Sequence, residues 1–407
     1  MEDFSRRKML ATGGALGALG ALGVAAPAAA RPLWTWSPAG SVAGSGKGAD
    51  PRWVWDDVAD PLFANLLEKG NVPKFNELLR SWTKNNQPLP PGMPADIRDF
   101  LESARQLPAW VDQDKLTVVD EFNKKRGLYF GALYGFGSGM VSTAIPKEAR
   151  AVYYSLGGWD LRDRLSKTAK LGYDICNAQP YAPENEIIVT CLKTRMIHAA
   201  IRHLLPQSSG WQGSADEEIP ISQADMMVTW HSLPTHVNRL MTRWEIPVSA
   251  EESEAFLHTW QVCAYMLGIK EEYIPASWNE AEEQAKQVFD PVLAPTPEGI
   301  KLADQITSMG DRIDGTIMSK GVLESFTRYT LGDEVADFLE IPRHFFWDNL
   351  LKRGWPLFIK AREGLIEFPM GPEVFDNFDE ILRKVALFYL SEGKKISIEI
   401  PERNRPE

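Results

Sequence analysis

The chain has 407 residues, of which 44% are hydrophobic and 24% are charged, and its formal net charge is -11. This composition is typical of a globular protein with a large core, and the length allows one large domain or two ordinary ones. The acidic balance argues against a nucleic-acid partner and against binding to an anionic membrane surface.

Residues 1–30 have the features of an export signal. Residues 5–10 read SRRKML, which matches a twin-arginine pattern, and a weakly apolar Ala/Gly/Leu stretch follows over residues 11–26. Three alanines at 28–30 then form a small-residue cleavage site. A membrane anchor or a chance basic start is the alternative, but the glycine-rich stretch is a poor membrane span. We therefore predict a secreted protein that is exported in folded form through the twin-arginine route.

The cysteines and the hydrophobic pattern agree with this prediction. The chain has three cysteines, which lie far apart at positions 176, 191 and 263 and form no disulfide framework. This fits a protein that folds in the reducing cytosol before export. Because no further stretch of about 20 apolar residues follows the signal, we expect no stable insertion into a membrane.

Residues 31–50 are rich in Ser, Gly, Ala and Pro and are predicted to form a flexible linker. Residues 51–407 are predicted to form a single all-α domain without internal repeats. Apolar periodicity and boundary residues predict helices at about 59–69, 72–84, 94–106, 113–126, 160–177, 184–205, 221–230, 234–244, 249–268, 278–290, 297–309, 319–331, 333–340 and 374–391. Further helices are predicted to begin at Pro146 and Pro342, and the alternation at residues 395–400 predicts one short strand.

Glycines recur every fourth residue in the stretch from residue 127 to residue 143, at positions 127, 131, 135 and 139. Each glycine weakens a helix by about 1 kcal/mol relative to alanine, so the series needs an explanation. Glycines on one helical face let a flat cofactor or another backbone approach closely. The pattern leaves both explanations open, a cofactor contact and tight helix–helix packing.

Two neighbouring helices carry polar residues that suit a catalytic site. Glu148 lies in the first turn of one helix. Asp160 can cap the next helix, in which Arg164, Lys167 and Thr168 are spaced i, i+3 and i+4. This spacing places the last three side chains on one helical face.

The helix predicted at residues 184–205 is apolar over most of its circumference, and such a helix is buried. It nevertheless carries Arg195, His198 and Arg202, which lie three and four residues apart on one face. Burying two cations beside an imidazole is costly unless anions meet them. A haem would supply iron for the histidine and two propionates for the arginines. The alternative, which the pattern alone favours, is a core histidine bonded to backbone, with the arginines paired to acidic neighbours.

Several kinds of catalytic site are absent from the sequence. It has no glycine-rich dinucleotide or phosphate loop, no His-Glu-x-x-His zinc helix and no Gly-x-Ser-x-Gly turn. It also lacks Cys-x-x-Cys-His, so a haem would be held without thioether bonds. His198 and His203, like His231 and His236, stand five residues apart and do not share a helical face. His198 is therefore the leading candidate, ahead of His344.

The combination of these motifs resembles the latex clearing proteins, a family of secreted bacterial rubber oxygenases. The resemblance rests on the twin-arginine start, Glu148 after IPK, RLSKT at residues 164–168 and RMIHAAIRH at residues 195–203. It covers essentially the whole mature chain. It implies a non-covalent haem b in a globin-like helical core with additional helices around it. It also implies endo-type cleavage of the double bonds of cis-1,4-polyisoprene by dioxygen, to oligo-isoprenoids with aldehyde and ketone ends. We expect a monomer.

The resemblance further implies roles for single residues. His198 matches the proximal iron ligand, Arg164 and Thr168 match the motif of the distal helix, and Glu148 matches the catalytic carboxylate. In an apolar channel the pKa of Glu148 should rise, as suits a general base that removes an allylic proton while dioxygen attacks the double bond. Arg164 would stabilise the developing negative charge or hold Glu148 in place.

Three further cations complete the candidate site. Lys167 shares a face with Arg164 and Thr168, and a lysine in an apolar pocket loses its proton more easily. It is therefore a candidate distal ligand of the iron, and the alternative is a solvated or propionate-bound lysine. Arg195 and Arg202 are candidate ligands of the haem propionates.

Two other functions compete with the oxygenase at this stage. One is a secreted, non-catalytic carrier of haem or of an apolar ligand, which would consume no dioxygen when mixed with latex. The other is a peroxidase-like haem oxidase, which would need peroxide in place of dioxygen. Oxygen consumption by the haem-loaded protein therefore separates the three hypotheses.

Overall fold

The structure is a computed structural model, and it describes residues 33–46, 48–155, 160–215, 219–309, 319–366 and 391–405. The predicted signal at residues 1–30 and nearly all of the predicted helix at 374–391 lie outside the described residues. The described residues from Trp34 onward form one compact unit.

The first helices begin and end close to their predicted positions. Helix α1 covers Ala59–Glu68, α2 covers Val72–Ser81, α3 covers Ala95–Ala104 and α4 covers Gln113–Ala132. Helix α4 is longer than predicted, and a π-helical segment at Leu133–Ser138 continues it. Tyr129, Phe130 and Leu133 are fully buried there. Their burial outweighs the low helix propensity of the neighbouring glycines.

The next three helices carry the candidate site. Helix α5 covers Pro146–Tyr154, α6 covers Leu161–Ile175 and α7 covers Ile187–Leu204. Pro146 occupies the first turn of α5, where its missing N–H is tolerated. The Asp160 side chain accepts a 3.0 Å hydrogen bond from the backbone N–H of Asp163. This confirms that Asp160 caps α6.

The second half of the chain adds helices around this core. They are α8 (Ser209–Ser214), α9 (Gln223–Trp230), α10 (His236–Arg243), α11 (Ala250–Leu267), α12 (Trp278–Val288), α13 (Pro297–Ser308), α14 (Lys320–Leu331), α15 (Asp333–Phe338) and α16 (Phe345–Arg362). A π-helical segment at His231–Thr235 joins α9 to α10. Pro234 lies in this segment and lacks the N–H that a regular helix needs.

Helix α7 lies at the centre of the core. It packs against α1, α6 and α11, and most of its side chains are buried. The predictions of a buried central helix and of an all-α fold are therefore confirmed. Among the described residues, extended segments pair only as isolated bridges. In the same part of the chain, none of the helices has the length and hydropathy that a membrane span requires.

Residues 34–46 pack on the domain and do not behave as the predicted flexible linker. Trp36 is buried, and its indole Nε1 donates a 3.0 Å hydrogen bond to Glu280 Oε2. The backbone N–H of Val42 donates to the carbonyl oxygen of Ile274 at 2.9 Å. A buried tryptophan contributes a large apolar area, which the average composition of this Ser/Gly/Pro-rich stretch conceals.

The strand predicted at residues 395–400 is wrong. The segment is extended, but it pairs with no strand among the described residues. Its alternation has another cause, because Ile398 and Ile400 are buried against the domain. The Asn76 side chain accepts from the Ile400 N–H at 2.9 Å and donates to the Ile400 carbonyl oxygen at 3.0 Å. A side-chain amide thus takes the place of a neighbouring strand.

Candidate active site

Three of the predicted site residues come together from three consecutive helices. Glu148 lies in the first turn of α5, Arg164 lies near the start of α6, and His198 lies in α7. The charge of Arg164 shifts the pKa of both Glu148 and His198. The three side chains therefore form one electrostatic cluster, which we call the Glu148–Arg164–His198 cluster.

His198 carries a neutral ring. Burial lowers the pKa of His198 to about 3, and the positive charges of Arg202 and Arg164 act in the same direction. The ring nitrogen Nδ1 is buried, and no hydrogen-bond partner meets it within the described part of the chain. Such a group is rare in native proteins because it has lost its bonds to water without replacement. A neutral imidazole is also the form that binds a metal.

Glu148 has the properties of an acid–base group. Its Oε1 accepts a 2.5 Å hydrogen bond from Thr229 Oγ1 on α9. Burial raises the pKa of Glu148 to about 8. The hydrogen bond from Thr229 and the charge of Arg164 oppose this shift, and the negative charge of Asp225 adds to it. A carboxyl group that titrates near neutral pH can both take up and release a proton during a reaction.

Arg164 is a buried cation without a direct anion. Burial lowers the pKa of Arg164, and the charges of Glu148 and Asp163 only partly oppose this. Among the described residues, no carboxylate lies within 4.0 Å of its guanidinium, unlike the arginines of α7. A guanidinium placed in this way is suited to stabilise negative charge on a bound group, because its donors are not already used.

The side chains of the cluster are partly accessible. The pKa shifts of Glu148, Arg164 and His198 arise mainly from burial, yet each side chain keeps part of its surface accessible. Thr229, which bonds to Glu148, and Thr168 on α6 are exposed. The cluster is therefore not sealed inside the core, and part of each of its side chains is accessible to a bound group.

Two glycines of the predicted series also border open space. No described atom lies within 4 Å of where a Cβ atom would be at Gly131 or Gly135. At Gly139 the carbonyl oxygen of Tyr134 would lie 3.2 Å away. Tight packing against the described residues therefore does not explain Gly131 and Gly135, whereas Gly139 contacts its own helical turn.

Lys167 does not join the cluster. Its Nζ lies 2.6 Å from Asp163 Oδ2, one turn earlier in α6. Thr168, the next residue, donates from Oγ1 to the carbonyl oxygen of Arg164 at 3.2 Å. The ion pair of Lys167 matches the alternative of a solvated lysine. Ligation of iron by Lys167 stays a prediction that this contact does not support.

The arginines predicted to bind propionates have protein anions as partners. Arg195 Nε donates to Asp56 Oδ2 at 2.6 Å, and Arg202 lies 2.7 Å from Asp60 Oδ1. This is the arrangement of the alternative, in which buried arginines pair with acidic neighbours, and binding of haem propionates by Arg195 and Arg202 stays a prediction. The ion pairs join α7 to the start of α1, and they flank His198 along the helix.

Comparisons with known proteins identify the family. A family model described as "ER-bound oxygenase mpaB/B'/Rubber oxygenase, catalytic domain" matches residues 125–360. A curated protein of Streptomyces sp. (strain K30), named "Rubber oxygenase", is 53% identical over 407 residues, which is 100% of both chains. The chain belongs to the rubber oxygenase family. The chain is also similar to a solved structure described as "Structure of Latex Clearing Protein LCP in the closed state", with a TM-score of 0.83 and 51% identity. The alignment covers 91% of this chain and 100% of the chain in that structure.

Membership of the rubber oxygenase family confirms the resemblance drawn from the sequence and makes the chain an oxygenase. The segment that the family model matches, residues 125–360, contains the whole Glu148–Arg164–His198 cluster. It also contains Lys167 and Thr168. The roles of the single residues stay predictions.

Sequence reasoning missed several residues that surround the cluster. Thr229 gives no signal in the sequence, because its contact with Glu148 joins residues 81 apart. The carboxylates of Asp56 and Asp60 could have been suspected, since they precede and open a predicted helix and the buried arginines of α7 require anions. The sequence does not say which of its many carboxylates meets which arginine.

Proposed function

We propose that this member of the rubber oxygenase family is a secreted, haem b-dependent dioxygenase. Its substrate is cis-1,4-polyisoprene, which it cleaves endo-wise at double bonds to oligo-isoprenoids with aldehyde and ketone ends. Family membership and the name of the 53% identical relative support the substrate class. The observation that carries the chemistry is a buried carboxyl of raised pKa beside an unpaired guanidinium and an unpartnered histidine.

The residues of the cluster fit a haem. His198 is neutral, and its buried Nδ1 has no partner among the described residues, so its ring could bind the iron of a haem. Thr168 and Arg164 on α6 keep accessible surface that a bound haem could contact. When bound, the haem would supply the iron that activates dioxygen. His198 would be its proximal ligand, and Lys167 is a proposed distal ligand, which requires that its ion pair with Asp163 opens.

Glu148 would act as the general base. Its Oε1 is held by Thr229, so Oε2 is the oxygen available to take an allylic proton from the polymer. The raised pKa makes the carboxylate a stronger base than an exposed glutamate. The polymer has no polar group, and its apolar chain would exclude water from the carboxylate once it is bound. Arg164 would stabilise the negative charge that develops next to Glu148.

The arginines of α7 would act at a distance. Burial keeps the ring of His198 neutral, and the charge of Arg202 acts in the same direction. Arg195 and Arg202 stay proposed propionate partners, although Asp56 and Asp60 already neutralise them. Residues 1–30 support export through the twin-arginine route, and we propose that the mature protein is an extracellular monomer with dioxygen and polyisoprene as its partners.

The experiment that tests this function compares oxygen uptake with an absorption spectrum. The purified protein is mixed with an emulsion of cis-1,4-polyisoprene, and oxygen uptake and carbonyl-ended products are measured together. We expect a haem b spectrum and uptake that depends on the polymer. A haem spectrum without oxygen uptake would favour the carrier. Cleavage of the polymer that needs peroxide and consumes no dioxygen would favour a peroxidase-like oxidase. A protein without haem after reconstitution would overturn the proposal.

A further inference from the structure

A cavity lies apart from the Glu148–Arg164–His198 cluster, and none of the three cluster residues lines it. Its volume is about 440 Å³, within the range of small-molecule sites. It is lined by residues of α6 and α7, by Thr83 after α2 and by residues of the segment at 391–398. Val189, Ile396 and Ile398 supply apolar walls, and lysine side chains contribute four amines, from Lys170, Lys193, Lys394 and Lys395.

Lys193 is the most buried of these four lysines. It is only 6% exposed, and its Nζ donates a 2.7 Å hydrogen bond to the carbonyl oxygen of Leu79, in the last turn of α2. An ammonium group has three donors, so one bond leaves it incompletely satisfied. No carboxylate among the described residues lies within 4.0 Å of it. A buried ammonium without an anion favours its neutral form.

Burial and the neighbouring charges together lower the pKa of Lys193. Burial lowers the pKa of Lys193 to about 8, and the nearby cations Lys170 and Lys395 lower it further, while Glu186 and Glu399 oppose them. At pH 8 about half of the amine is then neutral. An ordinary lysine with a pKa of about 10.4 is neutral to less than about 1% at that pH.

The other lysines of the cavity differ from Lys193. Lys170 lies 2.8 Å from Asp174 and 2.7 Å from Glu186, and these carboxylates hold its pKa above the ordinary value despite its burial. Lys394 and Lys395 are exposed, and Lys394 bonds to Glu392 at 2.9 Å. Lys193 is therefore the amine of this cavity that combines burial, an available lone pair and apolar neighbours.

We propose that this cavity binds apolar aldehydes and that the Lys193 amine condenses with their carbonyl group. The nitrogen lone pair attacks the carbonyl carbon, and a proton moves from nitrogen to the carbonyl oxygen to give a carbinolamine. Loss of one water molecule then gives an imine, with no change of oxidation state. The apolar walls hold the hydrocarbon chain, and water reverses the reaction when the aldehyde leaves.

The identity of the natural aldehyde rests on the proposed function, whereas the chemistry at Lys193 does not. Cleavage of polyisoprene would release oligo-isoprenoids with one aldehyde end, which is a carbonyl on an apolar chain. Lys193 would then retain the product of the reaction reversibly. The chemistry at Lys193 itself can be tested without dioxygen and without polymer, so its failure is distinct from failure of the oxygenase.

The test is reductive trapping on the full-length protein. The protein is treated with octanal and sodium cyanoborohydride at pH 8 under nitrogen, and modified lysines are located by peptide mass mapping. We expect Lys193 to be labelled at least about tenfold faster than Lys170, Lys394 or Lys395. The labelling rate of Lys193 should rise with pH and become constant above about pH 8. The labelling rate of exposed lysines should continue to rise above that pH.

Two controls separate a binding cavity from a merely reactive amine. Lys193→Arg keeps the charge and the donors but cannot form an imine, so it should lose the adduct at this site while its circular dichroism is unchanged. Propanal, which is too short to use the apolar walls, should label Lys193 no faster than the exposed lysines. Labelling spread over exposed lysines with Lys193 unmodified in the wild type would overturn the proposal. If propanal labelled Lys193 as selectively as octanal does, the cavity would not bind the hydrocarbon chain and this part of the proposal would be overturned.

Discussion

Three side chains on one face of α7 differ in whether the protein supplies them with a polar partner. Arg195 and Arg202 each meet a carboxylate at 2.6 and 2.7 Å, respectively. His198 lies between them along the helix, and its buried Nδ1 has no partner among the described residues. Regular spacing therefore places all three residues together but does not make them equivalent.

This difference separates groups that hold the fold from groups that are free to react. An ion pair such as Arg195–Asp56 has already used its charge within the protein, so little is left for a ligand. The Glu148–Arg164–His198 cluster retains an unpaired cation, a carboxyl of raised pKa and a free imidazole. Unsatisfied polar groups are costly, and they are tolerated where a bound group satisfies them.

Replacing His198 should have the largest effect. His198→Ala removes the proposed iron ligand, so we expect loss of the haem absorption band and of oxygen uptake. The matched control is His203→Ala, one turn further along α7, which should keep both. An intact haem spectrum and full turnover in His198→Ala would place the ligand elsewhere and remove the contrast between His198 and its neighbours.

Replacing Glu148 should leave the haem and remove most of the turnover. Glu148→Gln keeps the shape and the bond from Thr229 but cannot accept a proton, so the rate should fall roughly 10²- to 10⁴-fold. Oxygen uptake at equal haem content measures this. Glu102→Gln, at an exposed carboxylate paired with Arg105, should change nothing. A Glu148→Gln protein with near-wild-type uptake would refute the role as general base.

Breaking a paired group should affect stability and not the chemistry. Asp56→Asn leaves Arg195 without its anion and weakens the start of α1, where Asp56 also accepts from the Ala59 N–H. We expect a loss of about 3 kcal/mol in the free energy of unfolding. Asp57→Asn, which loses only an exposed pair with Lys270 at 3.2 Å, should change it by less than about 1 kcal/mol. Denaturant midpoints of the two variants give the comparison, and equal midpoints would contradict it.

The sequence predicts the helices well and their partners poorly. Capping and periodicity placed α1, α6 and α7 within a few residues, because these signals are local. The partners of Arg195 could not be predicted, since Asp56 is 139 residues away. The wrong strand at residues 395–400 has the same origin. Alternation reports which side chains are buried, and it does not report whether a second strand is present.

The candidate site shows the same limit. The resemblance identified Glu148, Arg164 and His198, and the structure brings them together. It did not identify Thr229, whose hydroxyl group has no distinguishing neighbour in sequence. The cavity around Lys193 was also missed. A lysine in an apolar helix is consistent with a surface position until the packing shows that α2 and the segment at 391–398 cover it.

The pH dependence should show opposite signs for activity and stability. Because the pKa of Glu148 is raised from 4.5 to about 8, its basic form is the minor one below pH 8. The rate should rise about tenfold per pH unit there and level above it. The folded state binds this proton more tightly than the unfolded state, so the stability contribution is full below pH 4.5 and declines as the pH rises through 8.

The hydrogen bond from Thr229 allows this pH dependence to be tested. It lowers the pKa of Glu148, so Thr229→Val should move the activity profile to higher pH and leave the plateau rate largely unchanged. A profile that does not move would mean that another group controls the rate. If the plateau rate fell while the midpoint of the pH profile stayed the same, Thr229 would act in positioning the substrate.

Replacing Lys167 should give the smallest change in stability. The same variant tests whether Lys167 belongs with the reactive groups of the cluster or with the cations that the protein neutralises. Its pair with Asp163 is partly exposed, so Lys167→Met should alter the free energy of unfolding by less than about 1 kcal/mol. If the amine also ligates iron, the absorption spectrum of the resting haem protein should change in Lys167→Met and not in Asp163→Asn, which keeps the amine. Lys167 would then leave its ion pair to act, and pairing in the fold would not by itself exclude a chemical role. Unchanged spectra in both variants would place Lys167 with Arg195 and Arg202, among the cations that the protein neutralises itself.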